Sequence, residues 1–267
     1  MIRTKKPLVK EDKSIALLKS VYANMDNLYL GFSGGKDSVV IYHLAKRANI
    51  SFTAIYSNTT LDPPGTISFI RKNFPDVQIL HPKESFYDLV RRKGLPTRQT
   101  RFCCEYLKEQ AGIGRNTILG VRASESKKRE GRDYIQCDTR KSQKGAKLIY
   151  PIYDWLDADV WGYIKKYNLP IAPCYSAGCA RLGCVGCPLI YPTKKRFEFS
   201  IYPKVYIAIK KAITIGMANN PQWKLSLATE GDGEIAMQWW ISNKSINQFF
   251  PQYKFTKTPT GWNKQHI

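Results

Sequence analysis

Between the apolar run Tyr29-Leu30-Gly31-Phe32 and a second apolar stretch, the chain carries Ser33-Gly34-Gly35-Lys36-Asp37-Ser38. Two glycines let a backbone curl until its N–H groups converge on one anion. Lys36 adds a cation there, and the Ser33 and Ser38 hydroxyls flank it. These residues suit a phosphate or another oxyanion. The spacing departs from the G-x-x-x-x-G-K-[ST] phosphate loop: counted from Gly31, position 36 is Lys rather than Gly, and Asp follows it. Asp37 reads as a metal ligand or a helix cap. Ser33 and Lys36 are expected to be exposed at the edge of a sheet.

Thiols are the second chemical group. Cys103 and Cys104 are adjacent, Cys184 and Cys187 form a C-x-x-C, and Cys137, Cys174 and Cys179 remain. The basic N-terminus has no apolar segment behind it, and no apolar run approaches the roughly 18 residues of a membrane span. A cytoplasmic address is therefore expected, where seven cysteines, an odd number, serve metal or redox chemistry better than disulfides. Four thiolates can hold a [4Fe–4S] cluster or a zinc ion. Zinc ligands are usually spaced by about two to four residues, so a tandem Cys-Cys favours the cluster. Buried cysteines without a ligand are the plain alternative.

The elements that position these groups follow from periodicity. Residues 29–32 read as a short buried strand, and Val40, Ile41, Leu44, Ala45 and Ala48 follow a helical period, so 33–38 is a strand-to-helix turn. Further strands are predicted at 51–57, 77–80 and 116–121, with helices after Pro63-Pro64, over 84–92 and over 157–167. Alternating strands and helices predict an α/β fold, a Rossmann-like, doubly wound parallel sheet. Ligands lie beyond the carboxyl ends of such strands. That places 33–38, the turn beginning at Ser57 and Asn58, and Gly120 to Arg122 around one crevice. The polar segment 123–148 reads as a mobile loop able to close over a ligand. Three regions are expected: an N-terminal helical extension over 1–26, a nucleotide-binding domain over 27–190, and a basic, aromatic-rich helical region over 191–267. Trp223, Trp239 and Trp240 should pack that last region.

With 42 Lys and Arg against 21 Asp and Glu, the net charge is +21, more than solubility requires. The excess is dispersed: from Tyr191 onward there are eleven basic and four acidic residues. A polyanionic partner follows, either nucleic acid such as tRNA or DNA, or nucleotide phosphates beside a solvated surface.

Four stretches taken together, SGGKDS at 33–38, GVRASES at 120–126, YPIYDWLDADVWGYIKKYNLP at 150–170, and Cys-Cys with GCVGCP, resemble the phosphoadenosine phosphosulfate (PAPS) reductase family of the PP-loop ATP pyrophosphatase group. The resemblance covers residues 28 to about 190. It implies an adenine nucleotide (ATP, adenylyl sulfate or PAPS) whose anionic end meets Ser33, Gly34, Gly35, Lys36, Asp37 and Ser38, with Ser57, Asn58, Gly120 and Arg122 nearby. Lys36 and Arg122 become the catalytic candidates, with Arg129 as a further cation. Cys103, Cys104, Cys184 and Cys187 resemble the ligands of a [4Fe–4S] cluster. One part is missing: similar reductases carry an attacking thiol in a C-terminal Glu-Cys-Gly-x-His, and no cysteine follows Cys187 here. SGGKDS is also the form found in relatives that split ATP with Mg²⁺ and serve sulfur transfer. The preferred expectation is thus ATP-dependent adenylation for sulfur transfer, with nucleic acid and a sulfur-donor or reductant protein as partners. A sulfonucleotide reductase with an unusual thiol, or a non-catalytic nucleotide-binding module docking nucleic acid, are the alternatives.

Overall fold

The computed structural model describes residues 9–109, 111–139 and 145–267. In chain order its elements are α1 (Lys10–Asn24), β1 (Tyr29–Gly31), α2 (Lys36–Arg47), β2 (Thr53–Ser57), α3 (Thr66–Asn73), β3 (Gln78–Leu80), α4 (Phe86–Lys93), α5 (Phe102–Leu107) and β4 (Thr117–Ile118). There follow β5 (Ile135–Cys137), β6 (Lys147–Ile149), α6 (Asp157–Lys166), α7 (Pro173–Ser176), α8 (Pro192–Ile201), α9 (Pro203–Asn219), α10 (Lys224–Thr229), α11 (Gly233–Ser242), α12 (Ile246–Phe249), β7 (Tyr253–Thr258) and β8 (Gly261–His266). Among the described residues the chain packs as two compact units. One holds the chain up to Ser57, Gly65–Leu80 and Glu109–Leu182; the other holds Asn58–Pro64, His81–Lys108 and Gly183–Ile267.

The first unit is an α/β, Rossmann-like structure. Its six strands lie in the order β3-β2-β1-β4-β6-β5, all parallel except β5, which runs antiparallel to β6. The chain steps outward from β1 to β2 and β3, then returns to place β4 on the other side of β1. This reversal opens a crevice at the carboxyl ends of β1 and β4, where open parallel sheets bind ligands. The apolar stripe of α2, with Val40, Ile41, Leu44 and Ala45, is buried, as its helical spacing requires. Gly34 makes the entry to α2 possible: its φ is +74°, and a Cβ there would stand 3.3 Å from Ile70.

The segment 123–148 is more ordered than its polarity suggests. It carries two short 3₁₀ turns and the strands β5 and β6, which complete the sheet. Each strand is three residues long, too short for a period of two to emerge from the composition. Residues 140–144 of that predicted loop lie outside the described residues.

The second unit is built on the hydrophobic cluster that joins α4 to the C-terminal helices, with Phe86, Leu89, Val90, Ile213, Met217 and Trp240 at its centre. Trp239 and Trp240 are buried in it and Trp223 packs against it, as predicted. Gly216 lets α9 approach α4 closely, since a Cβ there would lie 2.9 Å from the Arg91 carbonyl oxygen. Lys195 is fully buried; its ammonium donates to the Trp240 carbonyl (2.7 Å) and to Asn243 Oδ1 (2.6 Å). Burial pushes its pKa down to about 8. The helical reading of 191–267 holds as far as Phe249, after which β7 and β8 pair as an antiparallel hairpin whose Tyr253 and Phe255 stand two residues apart, the spacing of a strand.

One carboxylate ties α1 to the first unit. Glu11 accepts from Arg47 Nη1 (3.0 Å), Lys166 Nζ (2.8 Å) and the Tyr167 hydroxyl (2.8 Å), joining α1, α2 and the end of α6. Burial alone would raise its pKa, but the hydrogen bonds from Lys166, Tyr167 and Arg47 prevail and leave it lowered. A depressed carboxyl stabilises the fold above its unfolded pKa of about 4.3, and that contribution is lost as pH falls through the folded value. Glu11→Gln is therefore expected to cost about 1 kcal/mol at pH 7, a modest figure because the partners are partly exposed. The gap between parent and variant should close as urea titrations move from about pH 6 to pH 3. A gap independent of pH would refute the electrostatic tie.

Candidate functional site

A pocket of about 540 Å³ opens in the first unit where the sheet topology reverses. Its wall includes Gly31, Ser33, Gly35, Lys36, Asp37 and Ser38 from the β1–α2 turn, and Gly120 and Arg122 from the segment after β4. Gly35 is the N-cap of α2, so the positive end of the helix faces this turn. The turn is braced internally: the Gly35 N–H donates to Ser33 Oγ (3.3 Å), Ser33 Oγ to Ser38 Oγ (3.1 Å), and Ser38 Oγ to the Gly35 carbonyl (2.8 Å). The Lys36 N–H donates to the Tyr175 hydroxyl at 2.8 Å. Burial raises the pKa of that phenol to about 12, so it keeps its proton at neutral pH.

Ser33 is exposed, as expected, but Lys36 is not. Lys36 is 5% and Arg122 4% exposed, so two cations are buried side by side. Two carboxylates make this tolerable. Asp37 accepts from Arg122 Nε (2.7 Å) and lies 3.4 Å from Lys36 Nζ. Asp157, at the start of α6, lies 2.9 Å from Arg122 Nη2 and 3.2 Å from Lys36 Nζ. Burial would raise the Asp157 pKa, but the Lys36 and Arg122 charges hold it low. Asp37 is thus a counter-ion, not the helix cap considered from sequence. The backbone of Arg122 is fixed as well, its N–H donating to Glu125 Oε2 (3.1 Å), and Arg129 pairs with Glu125 on the same wall.

Not every predicted residue joins this wall. Gly34 supports the turn from beneath, against Ile70. Ser57 ends β2, one strand away from the reversal, and is not among the lining residues. Asn58 belongs to the second unit, where its Oδ1 accepts from the Thr60 N–H (2.8 Å) and its amide meets His81 Nδ1 (3.2 Å). Conversely, Asp157, Tyr175, Glu125 and Arg181 were missed as site residues. Asp157 had a signal, since it opens the helix within the stretch at 150–170. Tyr175 had none: 139 positions separate it from Lys36.

The four predicted cluster cysteines all lie in the second unit. Cys103 and Cys104 sit on α5, while a tight turn follows Cys184, closed by the Cys187 N–H on the Cys184 carbonyl (3.3 Å). Gly186 has φ +69°, and a Cβ would stand 2.4 Å from the Phe199 ring, so only glycine fits. Arg98 clamps the following residues through the Pro188 (3.3 Å) and Leu189 (2.6 Å) carbonyls. The thiols feel one another: contact with Cys104, burial, and the nearby Cys184 and Cys187 all push the Cys103 thiol up. Burial likewise raises Cys184, opposed by the Lys108 ammonium. Cys184 also donates to Thr59 Oγ1 (3.5 Å), which itself hydrogen-bonds Asp62 (2.7 Å). Among the described residues, no three His, Cys, Asp or Glu side chains are gathered as ligands of a metal ion. Four thiols are the donor type that an iron–sulfur cluster takes.

Residues 27–190 match the family model described as the phosphoadenosine phosphosulfate reductase domain. An uncharacterized protein of Methanocaldococcus jannaschii is 31% identical over 214 residues, 73% of this chain, which spans about half (51%) of that relative's length. The adenosine 5'-phosphosulfate reductase of Bacillus cytotoxicus is 27% identical over 194 residues, covering 66% of this chain and 80% of that enzyme. Among solved structures, the PAPS reductase of Candida auris in its phosphate complex superposes with a TM-score of 0.51 at 18% identity, over 64% of this chain and 88% of that one, a likeness of fold.

Gly120 supplies a direct test of the pocket. A Cβ on it would stand 3.0 Å from the Asp37 backbone and side chain, forcing the first turn of α2 to shift. Gly120→Ala is expected to weaken pyrophosphate binding in calorimetric titration while the melting curve stays cooperative. Parent-like affinity would show that the α2 turn is not where the anion binds.

Proposed function

Because the chain belongs to the phosphoadenosine phosphosulfate reductase family, we propose that its first unit binds an adenine nucleotide with the phosphate chain on the 33–38 turn, and that it splits ATP to AMP and pyrophosphate while adenylating an acceptor for sulfur transfer. The observation that carries this reading is the pair of buried cations, Lys36 and Arg122, at the N-terminus of α2. Their counter-ions, Asp37 and Asp157, are side chains of the same site, so an incoming phosphate chain competes for cations already in place.

In this reading the α2 amides and Lys36 hold the departing pyrophosphate, and Arg122 orients the α-phosphate. An acceptor oxygen, losing its proton to solvent, attacks the α-phosphorus in line, the bond to the bridging oxygen breaks, and pyrophosphate leaves with the electron pair; a sulfur nucleophile then displaces AMP from the adenylated acceptor, and water releases AMP where no sulfur is supplied. The Tyr175 hydroxyl, already accepting from the Lys36 N–H, has a proton to offer a phosphate oxygen. Asp37 and Asp157 are the oxygen donors that would hold Mg²⁺, which offsets the charge of the phosphate chain. Cys103, Cys104, Cys184 and Cys187 would hold a [4Fe–4S] cluster, which supplies a redox or sulfur-handling centre. The charge of +21 supports a polyanionic acceptor, tRNA or DNA. A donor or reductant protein would bring the sulfur or electrons.

The likeness to the Bacillus cytotoxicus enzyme favours a second reading, sulfonucleotide reduction. There a cysteine thiolate attacks the sulfur, the nucleotide (AMP from adenylyl sulfate, its 3'-phosphorylated form from PAPS) leaves with the bridging electron pair, and two thiols of a reductant protein release sulfite as they form a disulfide. The thiol would have to come from Cys137, exposed, or from Cys174 and Cys179, both buried.

Turnover separates the two. With Mg²⁺, ATP is expected to give AMP and pyrophosphate, while adenylyl sulfate and PAPS release little sulfite. Lys36→Ala and Arg122→Ala should each weaken nucleotide binding about ten- to hundredfold, as loss of a charge-assisted phosphate contact does. Rapid sulfite release, lost on replacing Cys137, Cys174 or Cys179, would establish the reductase instead.

The thiol site has its own test. Protein prepared without oxygen is expected to be brown, with about four irons per chain, and Cys104→Ser to remove the colour. A colourless preparation with one zinc per chain would overturn the cluster.

A further inference from the structure

The C-terminal hairpin lies outside the family match, which ends at residue 190, so the nucleotide-binding fold does not explain it. One face of it is committed to the second unit. Tyr253 and Phe255 pack against the hydrophobic cluster, and Lys224 lies over the Phe255 and Trp262 rings (4.9 and 4.7 Å). Gly261 fits tightly on Gln222, where a Cβ would come within 2.6 Å of its side chain. The hairpin is therefore a braced ribbon.

The other face is unlike an ordinary solvated surface. The register pairs Lys254 with Gln265 and Thr256 with Asn263, and all four are exposed. Alternation along the strands puts them together, opposite the packed aromatics. The face holds no acid and no apolar residue. Two more lysines are exposed beside this face: Lys257, paired with Trp262 at the tip and alternating to the aromatic side, and Lys244 before α12. No Asp or Glu occurs anywhere in residues 235–267. The acid reaching this ribbon from the described residues, Glu230, pairs with Lys264 (2.9 Å).

These four side-chain types are those that read base edges: Lys for guanine, Asn and Gln for adenine, Thr for the thymine methyl. Six residues per strand make a ribbon about 20 Å long, with strands about 5 Å apart. That fits a B-DNA major groove about 12 Å wide. The major groove of A-form RNA is too narrow to be read this way. We propose that the exposed face of β7 and β8 docks double-stranded DNA, with the ribbon in the major groove and Lys257 and Lys244 on the flanking phosphates. The proposal deepens the reading of the acceptor as nucleic acid and rests on it for biological purpose, while DNA binding is measured without nucleotide.

The experiment uses the full chain, a fluorescein-labelled duplex of about 20 base pairs, and anisotropy titrations across salt concentrations. The parent is expected to bind the duplex, with affinity falling steeply as salt rises. Lys244→Gln with Lys257→Gln should weaken binding roughly tenfold and reduce the slope of log K against log salt by about 1.8, two phosphate contacts at about 0.9 each. Asn263→Ala with Gln265→Ala should leave the slope unchanged and flatten differences between duplex sequences. Melting curves are recorded on every variant, where parent-like cooperative unfolding shows that the variants are folded, and ATP cleavage is followed in parallel. A duplex bound by protein that leaves ATP intact sustains the ribbon and refutes the nucleotide chemistry. No duplex binding, preference for single-stranded RNA, or a salt slope untouched by the lysine changes overturns the ribbon.

Discussion

The first unit depends on keeping two cations, Lys36 and Arg122, buried at the start of a helix whose N-terminus is itself positive. Without compensation this would be costly, because three positive features would share a space of low dielectric. Asp37 and Asp157 supply the compensation, one from the helix that bears Lys36 and the other from the first turn of α6. Much of the local architecture serves that balance. Gly120 gives Asp37 room, Glu125 and Ser124 hold Arg122 in place, and Tyr175 takes the first amide of α2.

In the proposed reading such a balance suits a polyanion: each phosphate oxygen would replace a carboxylate oxygen as partner of the same cations, so the donors would not need to be assembled when the ligand binds. The parallel sheet contributes by location: β1 and β4 end at the reversal of strand order, and both the helix start and Arg122 lie directly beyond those ends.

The second unit solves a different problem. Its thiols lie on a short helix and a tight turn, neither able to hold a fixed geometry alone. The turn is held through Gly186 on Phe199, Arg98 on the carbonyls after Cys187, and the Asn243 amide on the Ile190 carbonyl (2.8 Å). Lys195, buried beneath Trp240, holds Asn243 in turn. A C-terminal helical layer thereby organises residues far from it in sequence.

The amino-acid sequence by itself determined the elements and the chemistry they carry. Helical spacing in α2 and α6, glycines at the strand-to-helix turn, and paired thiols are local features, and local features are legible because backbone geometry and side-chain period act within a few residues. The strands β5 and β6, three residues each, are too short for a period to show, and the alternation of β7 is submerged in the helical reading of the segment around it. Which residues meet was decided only by tertiary structure. Lys36 looked exposed because sequence shows its charge but not Asp157, 121 positions later (157 − 36), which makes its burial possible. Ser57 and Asn58 looked like site residues because every strand end is polar. The order of the strands selects which of those ends border the crevice, and that order is set by how the chain packs.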